Sequence, residues 1–300
     1  MERQLWPKLY QLLMQAGKHH DRRGKQFSDA WIAVIYMWSV LHDRPISWAC
    51  DLDNWRGESR APMNLPSPST MSRRLNGEQS LGVRQLLEQA QQTTTEWFPK
   101  GFCYWIDSKP LTVSGVSKDR EARFGRAAGC NAKGYRLHVL CNAGGAVIAW
   151  MLAPMSCGDA PAAAALLSNL TLKQRCGQVP HLHGYSVGDN LYDANTLYDG
   201  FKTTGLQHVA PPRKTAKGVG HDRQSPNRLR GLELIKGEFG KTLVHGRRGI
   251  ERFFANATSF GGGMGQLPAW VRTPQRVSAW VGCKLLIDAV RRERKQRLTA

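Results

Sequence analysis

Acidic side chains are scarce in this 300-residue chain: 23 Asp and Glu stand against 42 Lys and Arg, a formal net charge of +19. Long apolar runs are missing too. The longest, AWIAVIYMW from Ala30 to Trp38, falls far short of the roughly 20 residues that cross a bilayer, so no membrane-spanning role is expected. The opening residues MERQLWPKLY lack the basic-then-apolar order of a secretion signal, which points to a protein kept inside the cell. Cysteines number seven, an odd count without a C-x-x-C pair. That argues against both a disulfide framework and a structural zinc site and leaves reduced, packed thiols. What is present is a hydrophobic fraction of 41%, enough to fill a sizeable core in one large domain or two smaller ones.

The charge is uneven. Residues 1–100 and 101–212 each carry a net +3, whereas residues 213–300 carry 19 basic against 6 acidic side chains. Such a field suits a polyanion, nucleic acid first, bound through counterion release. An acidic membrane surface or simple solubility are the alternatives.

Residues 1–98 read as helical. DAWIAVIYMWSVL (29–41) is apolar nearly all round and fits a buried helix, after the polar connector HHDRRGKQFS. A Pro-rich break, RAPMNLPSPST, leads to a short helix capped by Ser67 or Ser69 and bearing Arg73 and Arg74, then to a longer helix over 81–97. Short helices with adjacent arginines suit a helix-turn-helix DNA reader, and equally any small bundle.

From residue 99 the pattern turns to strands: FCYWID (102–107), YRLHVLCN (135–142) and AVIAWML (146–152), the last two joined by an AGG hairpin turn. The polar stretch between the first two is a long loop or a hairpin edge. A helix over 158–170 capped by Asp159, a strand over 183–189, a helix over 192–202 capped by Asp193 and a strand over 206–212 complete an α/β domain with a mixed sheet. The basic run RKTAKGVGHDRQSPNRLRG reads as a mobile loop or insertion, followed by helices over 245–260 and 273–294.

Asp107 and Asp189 each end an expected strand. Ligands of open α/β sheets gather beyond the carboxyl ends of strands, so both residues can face one site. Glu251 lies on an expected helix in HGRRGIERFF, with Arg247 four residues earlier on the same face. Two aspartates and a glutamate form a hard oxygen cage of the kind Mg²⁺ or Mn²⁺ takes. The plainer alternatives are a turn cap for Asp189 and a simple ion pair of Glu251 with Arg247.

The segments YWIDSKP, YSVGDNLYDANTLYD and GRRGIERFF, in that order, resemble the DDE transposases of bacterial insertion sequences over about residues 100–290. The resemblance implies a ribonuclease-H-like fold with a five-stranded mixed sheet flanked by helices. It implies Asp107, Asp189 and Glu251 as catalytic metal ligands that hold two ions, Mg²⁺ or Mn²⁺. It also implies phosphodiester hydrolysis and strand transfer on DNA, in a homodimer or larger assembly, in the cytoplasm with the nucleoid of a bacterium. Two departures stand out: related transposases carry Tyr and Lys seven residues either side of the Glu, where this chain has Val244 and Thr258, and Asn190 replaces a frequent Ala, Lys or Arg.

On this reading residues 1–98 form a helical, DNA-binding region, 99–290 the catalytic domain and 291–300 a basic tail. Lys109, Lys133, Arg136, Arg247, Arg252, Arg73 and Arg74 are the expected contacts to DNA. The competing expectations are a nuclease of the same fold that cuts without joining, and a non-catalytic DNA-binding protein.

Overall fold

The computed structural model describes the chain except residues 1, 19–25, 59, 128, 214–222, 259–262 and 300. The connector expected at 19–28 and the middle of the basic run after residue 212 lie largely outside the described residues. The chain folds into two units. One comprises Met1–Trp97, Thr112–Ala122 and Asn256–Ala300, the other Phe98–Leu111 and Arg123–Ala255.

The first unit is helical. It contains α1 (Glu2–Gly17), α2 (Asp29–Leu41), α3 (Ile46–Ala49), α4 (Pro68–Arg74), α5 (Leu81–Thr95) and, from the far end of the sequence, the last helix, Pro274–Thr299. α2 is the centre, as its all-round apolar surface requires: every residue except Trp31 is buried. Ser28 caps it, accepting a hydrogen bond from Trp31 N at 3.2 Å. Trp38 of α2 stacks on Trp55 and meets Trp6 of α1 edge-on at 4.7 Å. From the last helix the buried Lys284 donates to Val40 O at the carboxyl end of α2, where a cation opposes the helix dipole.

The second unit is built on a mixed, open sheet. Its strands are β1 (Cys103–Thr112), β2 (Arg123–Ala127), β3 (Cys130–Asn142), β4 (Val147–Pro154), β5 (Gly184–Val187) and β6 (Leu206–Val209). The order is β2-β3-β1-β5-β6, with β4 also on β3. β5 runs parallel to β1 and β6, and β2 and β4 pair antiparallel to β3. The sheet thus has a short sixth strand: β2 pairs the first part of the long β3, and β4 pairs the remainder.

Side chains alternate across the sheet. Tyr104, Ile106 and Leu140 share an apolar core with Leu166, Leu167 and Leu170 of α6 (Asp159–Arg175) and with Leu197 and Phe201 of α7 (Asn195–Thr203). On the opposite face Tyr185 meets Phe239 of α9 (Glu238–Gly246), and Trp105 lies under Gly249 of α10 (Arg248–Thr258). Between α7 and α9 in sequence, α8 (Pro226–Lys236) packs along β6. The terminal helix is α11.

Four expectations are corrected. β1 does not end at Asp107 but continues to Thr112 through Pro110. The later part of the basic run is not a loop: Ser225 caps α8 and Pro226 stands in its first turn, where a missing N–H costs nothing. The helix expected over 245–260 is two, meeting at Arg247, which closes α9. Neither Asp159 nor Asp193 is the N-cap of the helix expected of it. Gly158 and Ala194 hold those positions, because both carboxylates are drawn away by arginines, Arg136 and Arg228.

Candidate active site

The sheet register brings the two aspartates together. Trp105 of β1 is paired with Val187 of β5, so two residues further on each chain Asp107 comes alongside Asp189. Both share the face of Trp105, the face α10 covers. α10 can lie that close because Gly249 has no side chain: a Cβ there would sit 2.1 Å from Cη2 of Trp105. The first turn of α10 then carries Glu251 to the same place.

Arg247 stands among the three acids. Its Nη2 is 3.0 Å from Asp107 Oδ2 and 3.8 Å from Asp189 Oδ2, and its Nη1 is 3.7 Å from Glu251 Oε1. The Asp107 side chain is 17% exposed, while Glu251, at 61%, reaches into solvent. Burial raises the Asp107 pKa from its ordinary value. The Ser108 amide, which donates to Asp107 Oδ1 at 2.8 Å, and the Arg247 guanidinium oppose that rise, and Asp189 adds to it. Arg247 Nε is buried and has no hydrogen-bond partner among the described residues. Two clefts flank this arginine. One of 680 Å³ is lined by Asp189, Asn190, Leu191, Pro211, Pro212, Arg213 and Val244, and one of 580 Å³ by His245, Arg248, Glu251, Arg252 and Ala255.

Two layers of support were not foreseen from the sequence. Arg213 donates through its side chain to the carbonyls of Asn190 and Leu191 at 2.9 and 2.6 Å, and through its backbone N–H to Asp193. Arg228 grips both oxygens of Asp193 at 2.7 Å. Together they fix the turn that presents Asp189. Beneath β1, Asp159 accepts from Ser108 Oγ at 2.5 Å and from Arg136 Nη1 at 3.1 Å. No pattern of spacing announces such pairs, since the partners are 20 to 51 residues apart in sequence and meet only once the sheet has formed.

The remaining expected contacts are scattered. Arg136 is spent on Asp159, and Arg74 on Asp29 and Phe27 O, with side chains only 15% and 11% exposed. Arg73, on α4, is exposed. Lys109 is half-buried on β1, where desolvation lowers its pKa, and Lys133 is half-buried on β3. Arg252 is exposed beside Glu251.

The donor set, three carboxylates on a concave surface, has the chemistry a hard divalent cation takes. Among the described residues, however, no three His, Cys, Asp or Glu side chains are close enough to hold one ion together; the acids face the guanidinium instead. Among those residues no helix is long and apolar enough to cross a membrane.

The sheet order, with one acid within β1, one in the turn after the neighbouring β5 and one on the covering α10, is that of a ribonuclease-H-like catalytic domain. The family described as Transposase DDE domain matches residues 102–277, and the chain belongs to it, a DDE-type transposase whose family chemistry is metal-dependent DNA cleavage and strand transfer. No curated protein shows a significant match. Similar solved structures include a piggyBac transposase synaptic complex with hairpin DNA, 10% identical with a TM-score of 0.42, covering 96% of this chain and 71% of that one. Another is the Mos1 mariner paired end complex with Mn, 13% identical with a TM-score of 0.26, covering 78% and 79%.

Proposed function

We propose that Asp107, Asp189 and Glu251 together hold two divalent cations, Mg²⁺ or Mn²⁺, and that the chain cuts DNA at the ends of an insertion sequence and joins them to target DNA. The observation that carries this is the convergence of three carboxylates, from β1, the turn after β5 and α10, on the single guanidinium of Arg247. Bound cations supply an acidified water or hydroxyl and charge stabilisation at phosphorus. Water adds to the scissile phosphorus, the bond to the 3′ oxygen breaks, and that oxygen leaves as a 3′-hydroxyl. The freed hydroxyl then attacks a phosphodiester of the target, forming one P–O bond as another is released.

The chain's own groups position these partners. Arg247 balances the clustered negative charge and has donors of the geometry that phosphate oxygens accept. Arg252, Lys109 and Lys133 extend positive charge over the second unit, and Arg73 offers it on the helical unit, the candidate DNA reader. Two element ends must be handled together, which supports a homodimer or larger assembly on DNA, resident with the nucleoid of a bacterium.

The test combines Mg²⁺, labelled element-end DNA and a target plasmid. Joined product supports the proposal. Cleavage without joining favours a nuclease, and binding alone a non-catalytic DNA-binding protein. Asp107→Asn should abolish both reactions, and joining at the wild-type rate in that variant would overturn the assignment.

A further inference from the structure

Asp159 is the first residue of α6, yet it leaves helix capping to Gly158 and sends its carboxylate back to the sheet. There it accepts from Ser108 Oγ at 2.5 Å, while Arg136 Nη1 lies 3.1 and 3.3 Å from its two oxygens. Arg136 is itself fixed by a 2.5 Å bond from Nη2 to Arg126 O on β2. Ser108 is the residue after Asp107, and its amide donates to Asp107 Oδ1. By strand alternation the two side chains point to opposite faces. One residue therefore binds Asp107 through its backbone and Asp159 through its side chain.

Tyr192 reaches the same layer from the turn after Asp189. Its hydroxyl is buried and close enough to Ser108 to interact, without a hydrogen bond of ordinary geometry. Burial first, and then Asp107 and Asp159, drive its pKa far up, so the phenol keeps its proton. α6, β1, β3 and the Asp189 turn thus meet in one polar layer beneath the site.

We infer that Asp159 is a positioning residue for the cation site: through Ser108 it fixes the part of β1 that presents Asp107. This rests on the reading of Asp107 as a cation ligand. Groups that orient ligands from behind commonly change metal affinity by 10- to 100-fold on removal. A carboxylate held by Arg136 and bonded to Ser108 sets where β1 lies at Asp107, and its loss frees the strand to shift.

The test measures Mn²⁺ binding by electron paramagnetic resonance of the free ion, with circular dichroism to verify folding. Asp159→Ala should weaken Mn²⁺ binding about 10-fold. Leu166→Ala, a core truncation on the same helix, should lose stability while keeping wild-type affinity. Unchanged affinity in folded Asp159→Ala overturns the inference, as does an equal loss in Leu166→Ala, which would mean general loosening. If Asp159→Ala does not fold, Ser108→Ala decides by the same measure, because it leaves the Arg136–Asp159 pair in place. Asp107→Asn separates the two levels. Wild-type Mn²⁺ affinity in Asp107→Asn sinks the reading of the site itself, whereas lost affinity there beside unchanged affinity in Asp159→Ala or Ser108→Ala sinks only the role of Asp159.

Discussion

Arg247 Nη2 lies 3.0 Å from Asp107 Oδ2, which makes an arginine at the joint between α9 and α10 the direct counter-ion of an acid in the middle of β1. The same guanidinium is within 4 Å of Asp189 and Glu251. Without it three carboxylates would repel one another in a partly buried place, where solvent screens charge less than at the surface.

Replacing Arg247 by Gln should therefore cost about 1 kcal/mol of stability in the absence of divalent ions. Added Mg²⁺ or Mn²⁺ should raise the melting temperature of Arg247→Gln more than that of the wild type, because cations would then relieve repulsion that the arginine otherwise offsets. Thermal unfolding with and without Mg²⁺ checks this. A smaller cation effect in the variant would show that Arg247 does not balance these acids.

The approach of α10 to the sheet depends on a single missing methyl group. A Cβ at Gly249 would fall 2.1 Å from Cη2 and 2.2 Å from Cζ3 of Trp105, closer than any real contact. Gly249→Ala should then push α10 outward and cost about 1–3 kcal/mol, the usual range for overpacking. The shift would carry Glu251 away from the aspartates. Trp105→Leu makes room for the new methyl, so in a double-mutant cycle by urea denaturation the pair should cost less than the sum of the single changes. Strict additivity would mean that the helix does not rest on this ring.

What the sequence disclosed and what it hid follow from range. Asp107, Asp189 and Glu251 could be picked out because each sits in a short segment of recognisable local type, although Asp107 stands within β1 and not at its end. The positions of β1, β3, β4, β5 and β6 were legible as β-rich apolar runs, and α2 through its all-round hydrophobicity, whereas the order of the strands and the polar β2 emerge only in the folded sheet. Partnerships between distant side chains were not legible. Asp159 and Asp193 look like helix caps in sequence, since Asp favours that position, and only the folded sheet brings Arg136 and Arg228 up to them. Two boundaries misled for the opposite reason: a polar Asp107 read as the end of β1, which runs on through Pro110, and the Gly- and Pro-punctuated run around Pro226 read as a loop, whereas Pro226 stands in the first turn of α8. The basic end of the chain read as a tail, but α11 continues to Thr299, with Arg292 bonded to the buried Asp288.

The Asp193–Arg228 pair holds the turn that presents Asp189, and it is buried. Burial alone would raise the Asp193 pKa, but the Arg228 hydrogen bonds and the Arg213 amide outweigh it and hold the carboxyl below its ordinary value. A depressed acid contributes stability that is present above the ordinary carboxylate pKa of about 4 and lost as pH falls through the folded value. Arg228→Ala leaves the carboxylate buried and uncompensated, which should cost about 3–5 kcal/mol near neutral pH. Joint replacement, Asp193→Leu with Arg228→Met, should cost much less, since no charge is stranded. Equilibrium denaturation of the three proteins checks the ordering, and a double variant as unstable as Arg228→Ala would refute it.

His208 gives the fold an acid sensitivity of its own. Its ring is buried, stacked on Phe201 at 4.4 Å and hydrogen-bonded through Nδ1 to Ser186 Oγ at 2.9 Å. Desolvation lowers its pKa to about 3, against the smaller raising effects of Tyr192, Asp193 and Ser186. In the unfolded chain the ring titrates near 6.5. Above that value both states are neutral and His208 adds no pH dependence. Below it the unfolded chain takes up a proton that the folded one refuses, so stability falls as pH drops from about 6.5 toward about 3, by about 1.4 kcal/mol per pH unit. Between pH 7 and pH 5 the wild type should thus lose about 2 kcal/mol more than His208→Gln, whose side chain does not titrate. Urea unfolding at the two pH values measures the difference directly. Equal losses in both proteins would mean that the imidazole accepts its proton inside the fold, and that the stacked arrangement on Phe201 tolerates a charge.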